Sequence, residues 1–422
     1  MIPAVIARCA GIDVGRKFVD VCVMVGEADA VPTEQIRRFS VLNQDLEQLH
    51  LWLQENGCTH AVMESTGSYW RPIHNVLDQG PLEVLLANPQ HVKNLRGHKT
   101  DKNDARWLAH LLRHGMIRPS FIPDRSTREL RDLTRRRKQL VSNAADERNR
   151  VHRVLQEANI QVGAVLSDLF GTSGLNILDA LMDPDATPER IAELAVRQAR
   201  KKIPLLKKAL EGHCMTDHHR RLVRHSMEHL AFLEEDIAEL DREIAEHVTG
   251  NAALRAATEL AQTVPGIQQT AAAAIVAETG ADMSQFPSAG KLASWLGTCP
   301  GNHITGGKRK SGQIRKGNPW ARQALVECAW SATRKKDSAP QRYYEQRRPR
   351  LKHKPALVAT AHLLTRILYE TLSSGKPYEP SPPQQLTATK LQRLVRHHSR
   401  RLKNLNRWLE RHKQRCAQTG EL

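Results

Sequence analysis

Four acidic residues stand where chemistry on phosphate would use them. Asp13 lies in Gly-Ile-Asp-Val-Gly at 11–15, Glu64 in Met-Glu-Ser-Thr-Gly at 63–67, and Asp101 and Asp104 in Lys-Thr-Asp-Lys-Asn-Asp-Ala-Arg at 99–106. The i,i+3 spacing of the last two puts both on one face of a helix start. Carboxylate oxygens are hard donors suited to Mg²⁺. Two such ions about 3.5–4 Å apart, with Mn²⁺ as a substitute, would stabilise the attacking and leaving oxygens of a phosphoryl transfer. Taken singly, each acid has an ordinary explanation as a turn or helix-start residue. Taken together, with Gly11, Gly15 and Gly67 beside them, they read as a metal site. Asp20, Asp45 and Asp78 lack such a setting and are expected at the surface. Lys99, Lys102 and Arg106 surround the last two acids and could hold phosphates or simply form a solvated helix face.

A second block, 297–319, packs glycines, hydroxyls and cations together. Thr305 or Ser311 could be a nucleophile toward phosphate, with Lys308, Arg309, Lys310, Arg315 and Lys316 neutralising charge around it. Composition alone favours a passive loop that grips phosphates. Upstream, Thr263-Val-Pro-Gly-Ile267 before a small-residue stretch has the outline of a helix–hairpin–helix. Its helix start could hold a phosphate, or it could be an ordinary turn. His213, Cys214, His218 and His219 lack a second Cys/His pair at zinc spacing and read as part of a basic helical face.

The chain of 422 residues carries 63 Lys+Arg against 45 Asp+Glu, a formal charge of +18. That excess points to a polyanion, and nucleic acid is the first choice. The charge is uneven: residues 1–92 hold 6 basic and 11 acidic residues, residues 93–153 hold 17 and 7, residues 308–354 hold 15 and 3, and residues 386–422 hold 10 and 2. An acidic module is thus followed by basic stretches expected to bind polyanions against it. Aromatics are only 4%, so phosphate contacts rather than base stacking should supply affinity, with strong salt dependence. Seven scattered cysteines without a Cys-x-x-Cys pair argue against a disulfide framework and fit a reducing cytoplasm. No apolar run approaches a membrane span, and the first residues do not resemble a signal peptide.

These residues need a scaffold. β-Branched runs predict strands at 4–14 and 18–25, a third at 38–41, and short buried strands at 60–63 and 84–87, with helices at 45–54 and 69–77. Three strands, a helix and then β/α alternation is the order of a ribonuclease-H-like α/β domain. In such a fold the first and fourth strands are neighbours and a following helix crosses their ends, so the four acids converge. Residues 101–160 read as helical and basic, 163–188 as a loop or linker, and 189–248 as helical again. Leu230, Leu233, Ile237, Leu240 and Ile244 alternate spacings of three and four, an a/d seam that could pair two subunits or fold back on the 128–160 helix. An Ala-rich helical region follows to about 378, and 386–415 reads as one basic helix. The domain plan is therefore 1–125 catalytic, 126–250 helical and oligomerising, 251–380 a mainly α C-terminal domain, and 381–422 a basic tail.

The motifs at 11–15, 63–70, 87–89, 99–106, 264–267 and 297–318, in this order, resemble those of the DEDD transposases of bacterial insertion sequences, the family numbered one-ten. The resemblance spans about residues 11–378. It implies a RuvC-like N-terminal domain, a coiled-coil middle and a C-terminal transposase domain. The function it implies is site-specific DNA strand cleavage and rejoining, guided by a noncoding bridge RNA that pairs with donor and target DNA. It carries the tetrad onto Asp13, Glu64, Asp101 and Asp104. It also implies a covalent intermediate on a C-terminal hydroxyl, a dimeric or tetrameric homo-oligomer with composite sites, and a place in the bacterial cytoplasm at the nucleoid. Where the family has its nucleophilic serine this chain has Thr305, so Thr305 is the favoured nucleophile and Ser311 the alternate. The basic tail past Pro383 is a second departure. The rival readings are a hydrolytic RuvC-like nuclease without a covalent intermediate and a non-catalytic nucleic-acid-binding scaffold.

Overall fold

The structure, a computed structural model, describes residues 4–27, 29–64, 67–87, 101–117, 119–301, 303–305, 308–311, 313–314 and 316–380, and beyond them 392, 395–396, 399–400 and 402–410. For 101–103, 303–305 and 308–311 it describes the backbone alone. The chain falls into two compact units, Met1–Asp124 and Arg125–Leu422.

The N-terminal unit is built on a mixed five-stranded sheet. β1 (Arg8–Val14), β2 (Phe18–Val25) and β3 (Thr33–Ser40) form an antiparallel meander; β4 (His60–Glu64) and β5 (Glu83–Ala87) add parallel strands, in the order β3-β2-β1-β4-β5. β1, β2 and β4 read as near-continuous apolar runs because both faces of the sheet are covered. One face packs on α1 (Asn43–Glu55) and α2 (Trp70–Leu77) through Ile12, Val21, Met63, Leu49, Leu53 and Ile73. The other packs on α3 (Asp101–Arg113), where Cys9, Cys22, Met24 and Val62 meet Ala105, Leu108, Ala109 and Leu112.

The third strand begins at Thr33, five residues before the predicted start. As an edge strand it is mostly exposed, and Thr-Glu-Gln-Ile-Arg-Arg carries no apolar alternation to announce it. The end of α3 is fixed by Arg113, 1% exposed, whose guanidinium donates to the carbonyl oxygens of Ile6, Ala7, Gly26, Glu27 and Ala30.

The second unit is mostly helical. α4 (Arg125–Glu157) and α5 (Asp217–Gly250) pair along their length. Their partners run in opposite directions: Ser126 with His247, Arg137 with Asp241, Arg148 with Glu234, Glu147 with His229. The pair is therefore antiparallel, and Leu230, Leu233 and Leu240 bury against Leu140 and Ala144. The a/d seam is thus occupied within one chain.

Residues 163–188, expected to be a loop, instead contain the helix Thr172–Ala180 and deliver Leu166, Leu169, Ile177, Leu178 and Leu181 to a buried cluster with Val151, Leu155 and Leu206. Gly171 and Pro188 had the look of loop residues because they cap and open short helices.

Further on come α6 (Ala252–Thr263), α7 (Gln269–Thr279), α8 (Ala289–Trp295), a two-stranded hairpin of β6 (His303–Thr305) and β7 (Lys308–Ser311), α9 (Pro319–Ala332), α10 (Ala339–Leu351) and α11 (His353–Ser374). α11 is lined with small and aliphatic residues, Ala356, Thr360, Ala361, Leu364 and Leu368, which let its neighbours approach closely. In the tail, 402–410 is helical, and its neighbours at 386–391 and 411–415 lie outside the described residues. Among the described residues no helix is long and apolar enough to cross a membrane.

Candidate active site

Sheet register decides where the acids meet. β1 and β4 run parallel with Cys9 opposite His60 and Ile12 opposite Met63. One step further along each strand stand Asp13 and Glu64, at the same end of the same parallel pair. Side chains alternate along a strand. Ile12 and Met63 face α1 and α2, and Cys9 and Val62 face α3. Asp13 and Glu64 therefore share the α3 face, and both are half-buried.

The helix completes the arrangement. Its C-terminal Arg113 binds the carbonyls of Ile6 and Ala7, and Cys9 Sγ donates to the carbonyl of Ala109 at 3.6 Å. Ala105 lies over Gly11. α3 thus runs antiparallel to β1, and its first turn arrives beside the strand end that carries Asp13. That turn holds Asp101 and Asp104. Gly11 makes the approach possible. A Cβ there would overlap the Ala105 carbonyl and the Ala109 nitrogen and lie 3.0 Å from Ala109 Cα. Asp104 is half-buried, whereas the side chains of Asp101 and Lys102 lie outside the described residues, as does Lys99. Among the described residues no group of three or more His, Cys, Asp or Glu side chains is close enough to hold a metal ion. Arg106, expected at phosphates, is bonded to Glu34 of β3 at 2.6 Å.

One expectation is corrected. Asp20 is not a surface residue: it is 3% exposed and receives two hydrogen bonds from Arg38, Nε to Oδ1 at 2.8 Å and Nη2 to Oδ2 at 2.7 Å. Asp45 is half-buried and accepts from the Ser40 hydroxyl, while Asp78 is exposed. The signal for Asp20 was present in the sequence. It sits in an apolar run two residues before Cys22, where an unpaired carboxylate could not be buried.

In the second unit the glycine-rich block folds back on itself. At its base Gly317 lies against Leu296 and Gly297 so closely that a Cβ would fall 2.7 Å from the Leu296 carbonyl carbon. Pro300 bridges Ile314, and the Gly301 amide donates to the Gln313 carbonyl at 2.7 Å. Then His303 pairs with Ser311, Ile304 with Arg309 and Thr305 with Lys308. Two residues separate Thr305 from Lys308, so Thr305 is the last paired residue of β6, whereas Ser311 stands at the other end of β7. The side chains of Thr305, Ser311, Lys308, Arg309 and Lys310, and all of Arg315, lie outside the described residues; Lys316 is exposed.

The base is anchored by a residue that composition did not single out. Glu278 at the end of α7 is 1% exposed. It accepts from Arg135 at 2.6 and 2.8 Å and from Asn318 Nδ2 at 2.6 Å, with Arg131 at 3.4 Å. Asn318 also caps α9 by accepting from the Trp320 and Ala321 amides, and its own amide donates to the Trp295 carbonyl. A lone acid in Ala-Ala-Ala-Ala-Ile-Val-Ala-Glu was the available signal. In the turn between α6 and α7, Gly266 has φ +88°, and a Cβ there would meet the Cys328 carbonyl oxygen at 2.5 Å. Packing against α9 therefore requires this glycine. His219, set aside as a metal ligand above, accepts from the Thr216 amide in the cap of α5.

The stretches that carry the acid-bearing sheet end and the glycine- and lysine-rich hairpin both match transposases. Residues 10–160 match the family model of the DEDD transposases of the IS110 group, and residues 258–345 match that of the IS116/IS110/IS902 transposase family. A Pseudomonas aeruginosa protein named "Probable family 20 transposase" is 28% identical over 333 residues, 76% of this chain and 85% of its own length. The 42 kDa protein of insertion element IS900 from Mycobacterium paratuberculosis is 27% identical over 307 residues, 67% of this chain and 73% of its own. The chain belongs to the IS110 family of insertion-element transposases, enzymes that process DNA.

Proposed function

We propose that this transposase cuts and rejoins DNA strands through a ribonuclease-H-like acidic centre and a hydroxyl nucleophile, with an element-encoded RNA guiding it to donor and target DNA. The observation that carries the reading is the register of β1 on β4, with α3 antiparallel above them. Together these bring the strand and helix ends bearing Asp13, Glu64, Asp101 and Asp104 to one end of one sheet face. The donor set fits a divalent ion: it is all carboxylate oxygen, the chemistry that suits Mg²⁺ or Mn²⁺. Asp13, Glu64, Asp101 and Asp104 would hold it, and when bound it would stabilise charge on the reacting phosphate oxygens.

Thr305 supplies the attacking oxygen. Its Oγ1 bonds to phosphorus, the bond from phosphorus to one deoxyribose oxygen breaks, and that oxygen leaves with the hydroxyl proton. Attack by a second DNA hydroxyl on the phosphothreonine reverses the exchange and joins a new strand. The place of Thr305 at the closed end of β6 supports this role over Ser311. Lys308, Arg309, Lys310, Arg315 and Lys316 hold the strand backbone, with Lys99 and Lys102 doing so near the acids. Target sequence is read by base pairing with the RNA. The working form is a dimer or tetramer.

The test is a denaturing gel after incubation of protein, element RNA, both DNAs and Mg²⁺. A DNA-linked protein band is expected, lost in Thr305→Ala and in Asp13→Ala and kept in Ser311→Ala. The threonine in place of serine favours a second reading, hydrolysis by water. Cleaved DNA with free ends and no adduct would establish that reading instead.

A further inference from the structure

One row of side chains crosses the N-terminal sheet beside the acids. Arg38 of β3 stands opposite Asp20 of β2, Asp20 opposite Asp13 of β1, and Glu64 of β4 follows one step past the Ile12–Met63 pair. Residues directly opposite in a ladder point to the same face. The face is that of α3, because Cys22 and Met24, two and four residues after Asp20, pack there with Ala105 and Leu108. Three acidic residues therefore stand on three neighbouring strands, whose backbones lie about 5 Å apart. The acidic tetrad uses two of them. The third, Asp20, is buried, and Arg38 occupies both its oxygens at 2.8 and 2.7 Å. The guanidinium carbon itself lies over the Phe18 ring, 4.0 Å from its centroid.

We propose that Arg38 is a positioning residue that withholds Asp20 from the cation site and so fixes how many carboxylates reach the ion. The inference rests on the metal-site reading above. Mg²⁺ takes few protein carboxylates and keeps positions for water and substrate phosphate. An added carboxylate on the same face would tighten the ion's hold and compete with the DNA phosphate for its coordination sites. Arginine suits the task because its planar fork bonds both oxygens at once and its charge is permanent. A lysine offers one compact ammonium and would leave an oxygen of Asp20 free to turn.

The test measures Mn²⁺ binding to the full-length protein without nucleic acid, from the electron paramagnetic resonance signal of the free ion, alongside strand cleavage. Arg38→Ala should bind Mn²⁺ about tenfold more tightly and cleave about tenfold more slowly, the scale on which neighbours of metal ligands act. A gain of affinity is not what mere structural damage produces. Asp20→Asn, and the Asp20→Asn/Arg38→Ala pair, should keep Mn²⁺ affinity within about threefold of the parent. Unchanged affinity in a folded Arg38→Ala protein overturns the proposal. So does a loss of about tenfold in Asp20→Asn, which would make Asp20 a ligand already. If Arg38→Ala does not fold, Arg38→Lys takes its place: it leaves an Asp20 oxygen free to turn, so tighter Mn²⁺ binding is expected and unchanged affinity overturns the proposal. Asp13→Asn separates the two levels. If it leaves Mn²⁺ binding intact, the metal-site reading itself fails; if it weakens binding while Arg38→Ala changes nothing, only the withholding role fails.

Discussion

Gly11→Ala should uncouple the acids while changing only one methyl group. Gly11 sits where α3 lies on β1, and a Cβ there would be 3.0 Å from Ala109 Cα while overlapping the Ala105 carbonyl and the Ala109 nitrogen. Carbon atoms pack at about 3.5–4.0 Å, so the helix must retreat by roughly 1 Å. All the obstructing atoms are helix backbone, and no rotamer change relieves them. Overpacking of this kind costs about 1–3 kcal/mol, which for a unit of this size lowers its melting temperature by about 4–12 °C. The retreat also carries Asp104 away from Asp13, and a misplacement of about 1 Å can cost about a hundredfold in rate. The assay pairs thermal denaturation with strand cleavage of the element ends. Gly250→Ala is the control: it ends α5 with nothing within 4 Å of its added Cβ, and should leave both readouts near the parent. Parental melting and parental cleavage in Gly11→Ala would refute the placement of α3 on β1.

Arg113→Met should destabilise the N-terminal unit by about 3 kcal/mol in urea denaturation, because the carbonyls of Ile6, Ala7, Gly26, Glu27 and Ala30 lose their buried donor; a change under about 0.5 kcal/mol would contradict it. Burial, and then Arg366, hold the His362 imidazole below its ordinary pKa, so the fold favours its neutral form. Its contribution is full above 6.5, the unfolded value, and is lost as pH falls from there through the folded value. Melting should therefore drop between about pH 7 and about pH 5, and less so in His362→Gln; equal pH dependence in both proteins would count against this. Burial pushes the thiols of Cys9, Cys22 and Cys328 up to about 12, while Cys214 is exposed. Iodoacetamide on the native protein should thus modify Cys214 well before those three, and mass spectrometry showing early adducts on Cys22 would overturn the burial argument.

Sequence and structure agree best where one residue's neighbours are local. β1, β2, β4 and β5 were legible because continuous apolar runs need a two-sided sheet, while Asp13 stood out between Gly11 and Gly15 and Glu64 ahead of Gly67. β3 was only half legible, since an edge strand that faces water writes no apolar pattern. The partnership of Asp20 with Arg38 was not legible, although each lies in a readable segment. Burial of a charge depends on what stands opposite, and register between strands is set by packing and turns rather than by either strand alone. Glu278 was missed for the same reason, as its partners lie 143 residues upstream at Arg135 and 40 downstream at Asn318.

The same logic changes what the net charge of +18 means. The stretch 93–153 seemed a surface for polyanions because 17 of its residues are basic. In α4 much of that charge is spent inside the second unit. Arg131 and Arg135 face Glu278, Arg137 faces Asp241, Lys138 faces Glu327, Arg148 faces Glu234 and Arg150 faces Glu147. Asp241 and Glu234 of α5, Glu278 of α7, Glu327 of α9 and Glu147 of α4 itself supply the opposing acids, so the basic count on α4 is answered by several helices of the same unit. A cation already held by a carboxylate must break that pair before it can take a phosphate. It therefore contributes less to counterion release than its formal charge suggests. That shifts weight from α4 toward 308–354, where the sequence sets 15 basic residues against only 3 acidic ones. That segment begins on the strand that pairs with Thr305. The basic excess of 308–354 and the proposed nucleophile thus belong to one stretch of chain, whose cations are part of the case for Thr305.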